Sequence, residues 1–285
     1  NVPHAENVSY FGDGANEAQL VYNFALPPLV LHSFTAGSAD ALTRWAQSLT
    51  RPSDCVAFFN FLASHDGIGL NPARDLLTPA EIDALVARTT AHGGFLSHKR
   101  MPDGSSRAYA MNINYLDALS NPSAGESPEW AARKMLTAHA ILLSLQGIPA
   151  IYFHSLFGSR GDPGAAQASG IPRRINREKL ERAPLEAALA DAGSLRARVF
   201  NGQRALLTLR QSHAAFAPTA SQEVLALDPR VFALRRSSPD GMDRMLCLHN
   251  VSGGRVRCAV PGAAVEGVDL EPYETRWVPE PGPRG

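Results

Sequence analysis

Ser64-His65-Asp66-Gly67 closes an apolar run, Cys55-Val-Ala-Phe-Phe-Asn-Phe-Leu-Ala63, and is followed by Ile68-Gly69. A histidine beside a carboxylate can bind hydroxyls, move a proton or stabilise a developing positive charge. Burying the pair without partners is costly, so two such groups at the end of an apolar stretch serve structure poorly. The flanking glycines allow a ligand or a second backbone to approach closely. The plain alternative is a polar turn that merely ends a strand. A second alternative, the His-Asp pair of a metal site, normally sits on a helix among further histidines, which a glycine-flanked strand end does not match.

The turn needs an element to end on it. Residues 55–64 are almost continuously apolar, the pattern of a parallel strand buried on both faces. In βα proteins the C-terminal ends of such strands are where side chains reach ligands. Residues 1–19 are polar and rich in Gly and Asn and read as a loop. Leu20 to Phe34 reads as a buried strand followed by a helix opened by Pro27-Pro28, and Asp40 to Leu49 has helical spacing. Thr78-Pro79-Ala80-Glu81 combines a cap, a proline in the first turn and an acid, and so starts a helix that Gly93-Gly94 stops. Residues 95–126 are polar, with a tight turn at Pro102-Asp103-Gly104. Ser127-Pro128-Glu129 opens another helix, Gly147 ends it, and Ile148 to Phe153 reads as a strand. A Gly-rich basic loop covers 158–177, and helical patterning runs from Leu185 to about Ser212. Beyond Val224, short β-like runs are split by Pro, Gly, Asp and Ser clusters, the grammar of an antiparallel β domain.

Strand–helix alternation implies parallel βα units, of which about three are visible, whereas a closed eightfold barrel takes roughly 250 residues. The expected fold is therefore α/β: the C-terminal part of a (β/α)₈ barrel over residues 1–218, then a small antiparallel β domain over 219–285. An opening Asn1-Val-Pro-His4 without an initiator methionine reads as a processed start or a piece of something longer. Three units alone would leave sheet edges unpaired, so either pairing with another copy or an N-terminal half that covers the edges is expected.

The chain of 285 residues carries 27 Lys+Arg against 27 Asp+Glu, leaving no basic surplus for a nucleic-acid or anionic-membrane partner. Cys55, Cys247 and Cys258 are too few and too scattered for a disulfide framework or a zinc knuckle. Cys55 reads as a small core residue, which favours a reducing, cytoplasmic setting. No apolar stretch reaches the roughly 20 residues that span a bilayer, and no signal-peptide pattern opens the chain.

Phe61-Leu-Ala-Ser-His-Asp-Gly-Ile-Gly69 resembles the fourth signature region of the α-amylase superfamily, in the form found in its sucrose phosphorylase-like subfamily. Tyr22-Asn-Phe-Ala-Leu-Pro-Pro-Leu29, Ala108-Tyr-Ala-Met-Asn-Ile-Asn-Tyr115, Gln146-Gly-Ile-Pro-Ala-Ile-Tyr152 and Arg173-Arg-Ile-Asn-Arg-Glu178 resemble the same subfamily in the same order. The resemblance covers nearly the whole chain and is thinnest over the β tail. It implies a retaining glycoside phosphorylase, in which a carboxylate nucleophile and a Glu acid/base form and resolve a glucosyl-enzyme. Phosphate, not water, then takes the sugar. Asp66 matches the third carboxylate, which stabilises the transition state, and His65 the neighbouring sugar-binding histidine. Arg173 matches a loop arginine near the acceptor and phosphate, where a guanidinium suits bidentate oxyanion binding. Tyr109 matches an aromatic of the acceptor loop, and Asn112 in that segment is taken as a further substrate-binding residue. Arg174 and Arg177 fit a solvated basic loop equally well. Phosphate is a co-substrate, and no metal or organic cofactor is implied.

Candidate donors are sucrose, sucrose 6-phosphate and glucosylglycerate. Ala110 stands where sucrose phosphorylases have an amide, and the Ser169–Arg173 and Asn112–Tyr115 segments look more like the glucosylglycerate type. A hydrolase or transglucosidase of the same superfamily is the alternative enzyme, and a non-catalytic truncated module the alternative of another class. The resemblance places the nucleophilic Asp and the acid/base Glu upstream of Asn1. The 285-residue chain alone is thus expected to turn over no glycoside, and phosphorolysis detected with the purified chain would overturn that expectation.

Overall fold

The computed structural model describes residues 2–261 and 267–281; the expectations that touch Asn1, 262–266 and 282–285 lie outside the described residues. The chain runs α1 (His4–Ser9), β1 (Leu20–Tyr22), α2 (Leu26–Ala36), α3 (Asp40–Ser48), β2 (Ala57–Phe61), β3 (Ile68–Gly69), α4 (Pro79–Ala91), β4 (Phe95–Arg100) and β5 (Ser106–Asn112). It continues with α5 (Tyr115–Leu119), α6 (Pro128–Ser144), β6 (Ile148–Ala150), α7 (Phe153–Leu156), α8 (Pro163–Ser169), a 3₁₀ turn at Pro172–Asn176, α9 (Arg182–Ala190) and α10 (Leu195–Gln211). The last part contains β7 (Ser221–Leu225), β8 (Val231–Ser237), β9 (Arg244–Asn250), β10 (Val256–Cys258), β11 (Val268–Leu270) and β12 (Thr275–Glu280).

Strands β1, β2 and β6 form a parallel sheet in that order, with Leu20 opposite Ala57 and Phe59 opposite Ile148. The helix between the first two strands forms as its prolines dictate: Pro27 and Pro28 occupy the first turn, and Gly37 ends it at φ 64°, a left-handed angle that favours glycine. Helix α4 opens with a complete capping box, the Thr78 N–H donating to Glu81 Oε2 at 2.7 Å and the Glu81 N–H to Thr78 Oγ1 at 3.3 Å. Strands β7, β8, β9 and β12 form a separate antiparallel sheet in the order β12-β9-β8-β7, and β10 pairs with β11.

The two parts share one core. Leu29, Leu42, Trp45, Leu62 and Tyr115 belong to the same buried cluster as Phe232, Leu234 and Cys247 of the antiparallel sheet. Arg236 is fully buried between them and has only carbonyl partners, Ser144 at 2.9 Å, Ala217 at 3.0 Å and Ser221 at 3.1 Å. Ser144 is the last residue of α6, so the guanidinium sits at the negative end of a 17-residue helix. Burial lowers its pKa to about 10, which leaves it charged at neutral pH. Beside it, buried His249 bridges Ser144 Oγ (3.2 Å) and Thr275 Oγ1 (2.7 Å).

Several expectations need correction. Residues 4–9 are helical, not loop: the helix follows Pro3 and buries Asn7, whose Nδ2 donates to Tyr22 O at 2.6 Å, a tertiary contact that local composition does not encode. Strand β2 is fully covered on one face and only partly on the other: Phe58 and Asn60 are buried, while Phe59 and Phe61 on the opposite face stay partly exposed beside Tyr22 and Phe24. Cys55 is exposed because it precedes the strand, in a turn where its N–H donates to Ser53 Oγ. The polar stretch after Gly94 holds the hairpin β4–β5, and the helical stretch from Leu185 breaks between α9 and α10 at Gly193-Ser194, where Ser194 caps the second helix.

Two buried histidines set a pH limit on this fold. Burial lowers His139 to about 4 and His249 to about 3, so both stay neutral when folded, whereas an unfolded imidazole takes a proton near its ordinary value of 6.5. Their contribution is complete above about pH 6.5 and is lost as pH falls, by about 1.4 kcal/mol per pH unit for each. Urea unfolding at pH 7.5, 6.5 and 5.5 is expected to show a falling midpoint below 6.5, less steep in His249→Gln; equal midpoints would refute the assignment.

Candidate functional site

Strand β2 ends at Phe61, and Leu62 and Ala63 carry the chain to the Ser64–Gly67 turn. The Asp66 N–H donates to Ser64 Oγ at 3.1 Å, which shapes the turn from within. Gly67 is required by space: a Cβ there would lie 2.6 Å from the Met111 carbonyl oxygen and 2.9 Å from Asn112 Oδ1. The remaining restraints come from the 3₁₀ turn. Asn176, 4% exposed, donates from Nδ2 to the Asp66 carbonyl at 2.9 Å, and Arg177 Nε donates to the His65 carbonyl at 3.1 Å. The Tyr152 hydroxyl, just past β6, donates to the Asn176 carbonyl at 2.8 Å.

The Asp66 carboxylate then receives Arg173 Nη1 at 3.1 Å and Arg177 Nη2 at 3.4 Å on one oxygen, and His65 Nε2 lies 3.5 Å from the other. All four side chains are a third to two-thirds exposed, so these pairs add little to stability, on the order of 0–1 kcal/mol each. Their value lies elsewhere. Two guanidiniums against one carboxylate, +2 − 1, leave a local charge of +1 at the rim, suited to an anion.

Asp66 and Gly67 separate two cavities. One, of about 260 Å³, is mainly apolar and runs past Phe24, Phe61, Ile113, Tyr115, Tyr152 and Asn176. The other, of about 340 Å³, is more polar and is walled by Ser97, Tyr109, Asn112, Ile171 and Arg173. Four of the five residues singled out in the sequence, Asp66, Tyr109, Asn112 and Arg173, therefore line one cavity. His65 sits beside it, 65% of its side chain exposed.

The hairpin supplies the far wall through a bulge. Ser97 pairs with Ala110 but His98 with Ala108, leaving Tyr109 as the extra residue, and such a bulge re-aims side chains. Asn112 is buried, and its Nδ2 is already committed to Ser97 Oγ at 2.8 Å. The near wall is a loop pinned from beneath. Asp117 accepts from the Gly161 N–H and from Arg160 Nη1, both at 2.7 Å, yet burial keeps its carboxyl above the ordinary range. Asp162 caps α8, and Gly170 at φ 66° turns the chain towards Pro172.

The sequence reading missed Asn176, Tyr152 and Ser97, whose types carry no signal of chemistry, and left Arg177 undecided between loop and site. Arg174, next to Arg173, forms no ion pair or hydrogen bond with Asp66 among the described residues. Among the described residues, no three His, Cys, Asp or Glu side chains group to hold a metal ion, and no helix is long and apolar enough to cross a membrane.

The architecture is that of the α-amylase-type barrel enzymes. A sucrose 6F-phosphate phosphorylase from Thermoanaerobacter thermosaccharolyticum superposes with a TM-score of 0.71 at 20% identity, covering 93% of this chain and 49% of that one. An α-amylase from H. orenii gives 0.61 at 17% identity, covering 98% and 52%. At the level of sequence the chain is similar, along nearly its whole length, to the C-terminal half of glucosylglycerate phosphorylases. It is 46% identical to that of Allomeiothermus silvanus over 284 residues, covering 98% of this chain and 50% of the relative. It is 43% identical to that of Escherichia coli, covering 98% and 51%. A sucrose phosphorylase from Agrobacterium vitis is 33% identical over 195 residues. The chain thus spans about half the length of the glucosylglycerate phosphorylases it matches. No protein-family model matches it.

The crowding at Gly67 gives a direct test of how tightly the turn is fitted. Gly67→Ala is expected to cost about 1–3 kcal/mol, the usual range for overpacking, in urea unfolding. An unchanged midpoint would mean that the turn is loose.

Proposed function

We propose that this chain forms the C-terminal half of a retaining α-glucoside phosphorylase acting on glucosylglycerate, with phosphate as the acceptor and α-glucose 1-phosphate as a product. The observation that carries the reading is Asp66 held at a strand end by Arg173 and Arg177, on the wall of a cavity that Tyr109 and Asn112 share. A carboxylate so placed stabilises the positive charge that develops on the sugar, and the surplus guanidinium charge attracts the phosphate that attacks it. His65, half turned to solvent, binds sugar hydroxyls. The nucleophilic Asp and the acid/base Glu come from an N-terminal half of the barrel, of which residues 1–218 supply the last three βα units and 219–285 the appended β domain.

The relatives favour glucosylglycerate over sucrose and sucrose 6-phosphate, since those named for it are 43–46% identical and the sucrose phosphorylase from Agrobacterium vitis 33%. On this reading the protein works in the cytoplasm on a sugar and phosphate, without metal, organic cofactor, nucleic acid or membrane. The chain alone pairs with a second copy through the open edges of β1 and β6.

The test uses the longer polypeptide that joins this chain to its N-terminal half. Incubated with phosphate and each donor in turn, it is expected to release α-glucose 1-phosphate from glucosylglycerate and far less from sucrose or sucrose 6-phosphate. Arg173→Ala is expected to lower phosphorolysis on the order of a hundredfold, the usual loss when one charge-stabilising donor is removed. Sugar release that proceeds without phosphate and survives Arg173→Ala would identify a hydrolase instead.

A further inference from the structure

The hairpin β4–β5 carries an arrangement that its fold does not explain. Lys99 and Arg107 are direct cross-strand partners, and like charges placed opposite one another destabilise an antiparallel pair. Both are exposed, and among the described residues neither takes part in an ion pair. Asp103 at the tip is turned to Ser105, accepting from its Oγ at 2.6 Å and its N–H at 2.9 Å, and the charge of Arg107 is only the last of the causes that lower its pKa. A third cation stands close: Arg74 donates to the Ala108 carbonyl at 2.6 Å, and its pKa is lowered by burial and then by the charge of Arg107.

Register places the pair with respect to the cavity. Side chains two apart on a strand share a face, so Lys99 follows Ser97 outward on the same face, and Ser97 lines the cavity walled by Tyr109 and Arg173. Arg107, opposite Lys99, lies on that face as well. The repulsive pair thus lies two residues outward of Ser97 on β4, beyond the Ser97 and Ala110 pair that lines the cavity together with Arg173.

We infer that Lys99 and Arg107 form a seat for a small oxyanion at the mouth of this cavity, so that the repulsion between them is relieved when the anion binds. Which anion it receives rests on the phosphorolysis reading, under which both inorganic phosphate and the carboxylate of glycerate must enter here. The seat itself requires only the shared chemistry of a compact oxyanion bridging an ammonium and a guanidinium.

Thermal melting of the 285-residue chain in low-salt buffer, titrated separately with inorganic phosphate and with D-glycerate, tests it. At least one anion is expected to raise the wild-type melting temperature, and sodium chloride at physiological strength to reduce the rise. Arg107→Glu, which turns the repulsive pair into an attractive one, is expected to melt at or above wild type without anion and to bind that anion at least tenfold more weakly; Lys99→Gln should weaken binding too. A response to phosphate alone identifies a seat for the attacking co-substrate, and a response to glycerate alone a seat for the acceptor. Failure of both anions to bind wild type, or undiminished binding by Arg107→Glu, overturns the proposal. If the seat behaves as expected but the longer polypeptide releases no glucose 1-phosphate, the phosphorolysis reading falls and the seat stands. If glucose 1-phosphate is released and Arg107→Glu keeps the wild-type KM for both anions, the seat alone falls.

Discussion

Asp66 is held in place by a segment 110 residues further along the chain. The turn that carries it has no ladder or helix of its own, so its geometry depends on outside donors, and the bond to the Asp66 carbonyl comes from the buried side chain of Asn176. That bond fixes the backbone, which leaves the Asp66 side-chain oxygens for Arg173, Arg177 and a ligand. It also ties the end of β2 to the end of β6, because the Tyr152 hydroxyl donates to the Asn176 carbonyl. Division of labour follows: neutral, buried groups set positions, and exposed charged groups face the cavity.

The same logic governs the join between the parallel sheet and the β domain. Arg236 carries a full charge into a dry interface, where an unpaired ion would be prohibitive, yet no carboxylate meets it. Carbonyl groups at the end of α6 and around residues 217–221 accept hydrogen bonds from its N–H groups instead. A guanidinium has five donors in a rigid fork, so it can satisfy several loose carbonyls at once, and these are the groups that a helix end leaves orphaned. Arg88 does the same at the end of α5, bonding the carbonyls of Ala118 and Leu119. Arginine here serves as a helix terminator as well as an anion ligand.

This double use explains where the sequence is legible. His65-Asp66 is readable because polar residues ending an apolar run break a local pattern, and the capped helices α4 and α6 are readable because Thr78 and Ser127 act on neighbours three residues away. Arginines carry no such context: Arg173, Arg177 and Arg236 look alike in the sequence, yet the first two meet the Asp66 carboxylate and the third meets only buried carbonyls. The Tyr109 bulge is hidden because one extra residue breaks the alternation that would mark the strand. Asn176 and the helix at 4–9 depend on contacts with distant segments, and Cys55 was misplaced because strand β2 begins two residues later than the apolar run.

One face of the parallel sheet presents Leu20 and Tyr22 about half-exposed, with Phe24, Phe59 and Phe61 partly exposed beside them, whereas parallel sheets are ordinarily covered on both sides. The sequence has a formal net charge of +0, so no long-range repulsion keeps copies apart in neutral solution. The colloidal behaviour of the polypeptide is thus governed by whatever shields five apolar side chains, and ionic strength, which usually tunes such behaviour through surface charge, has little to act on.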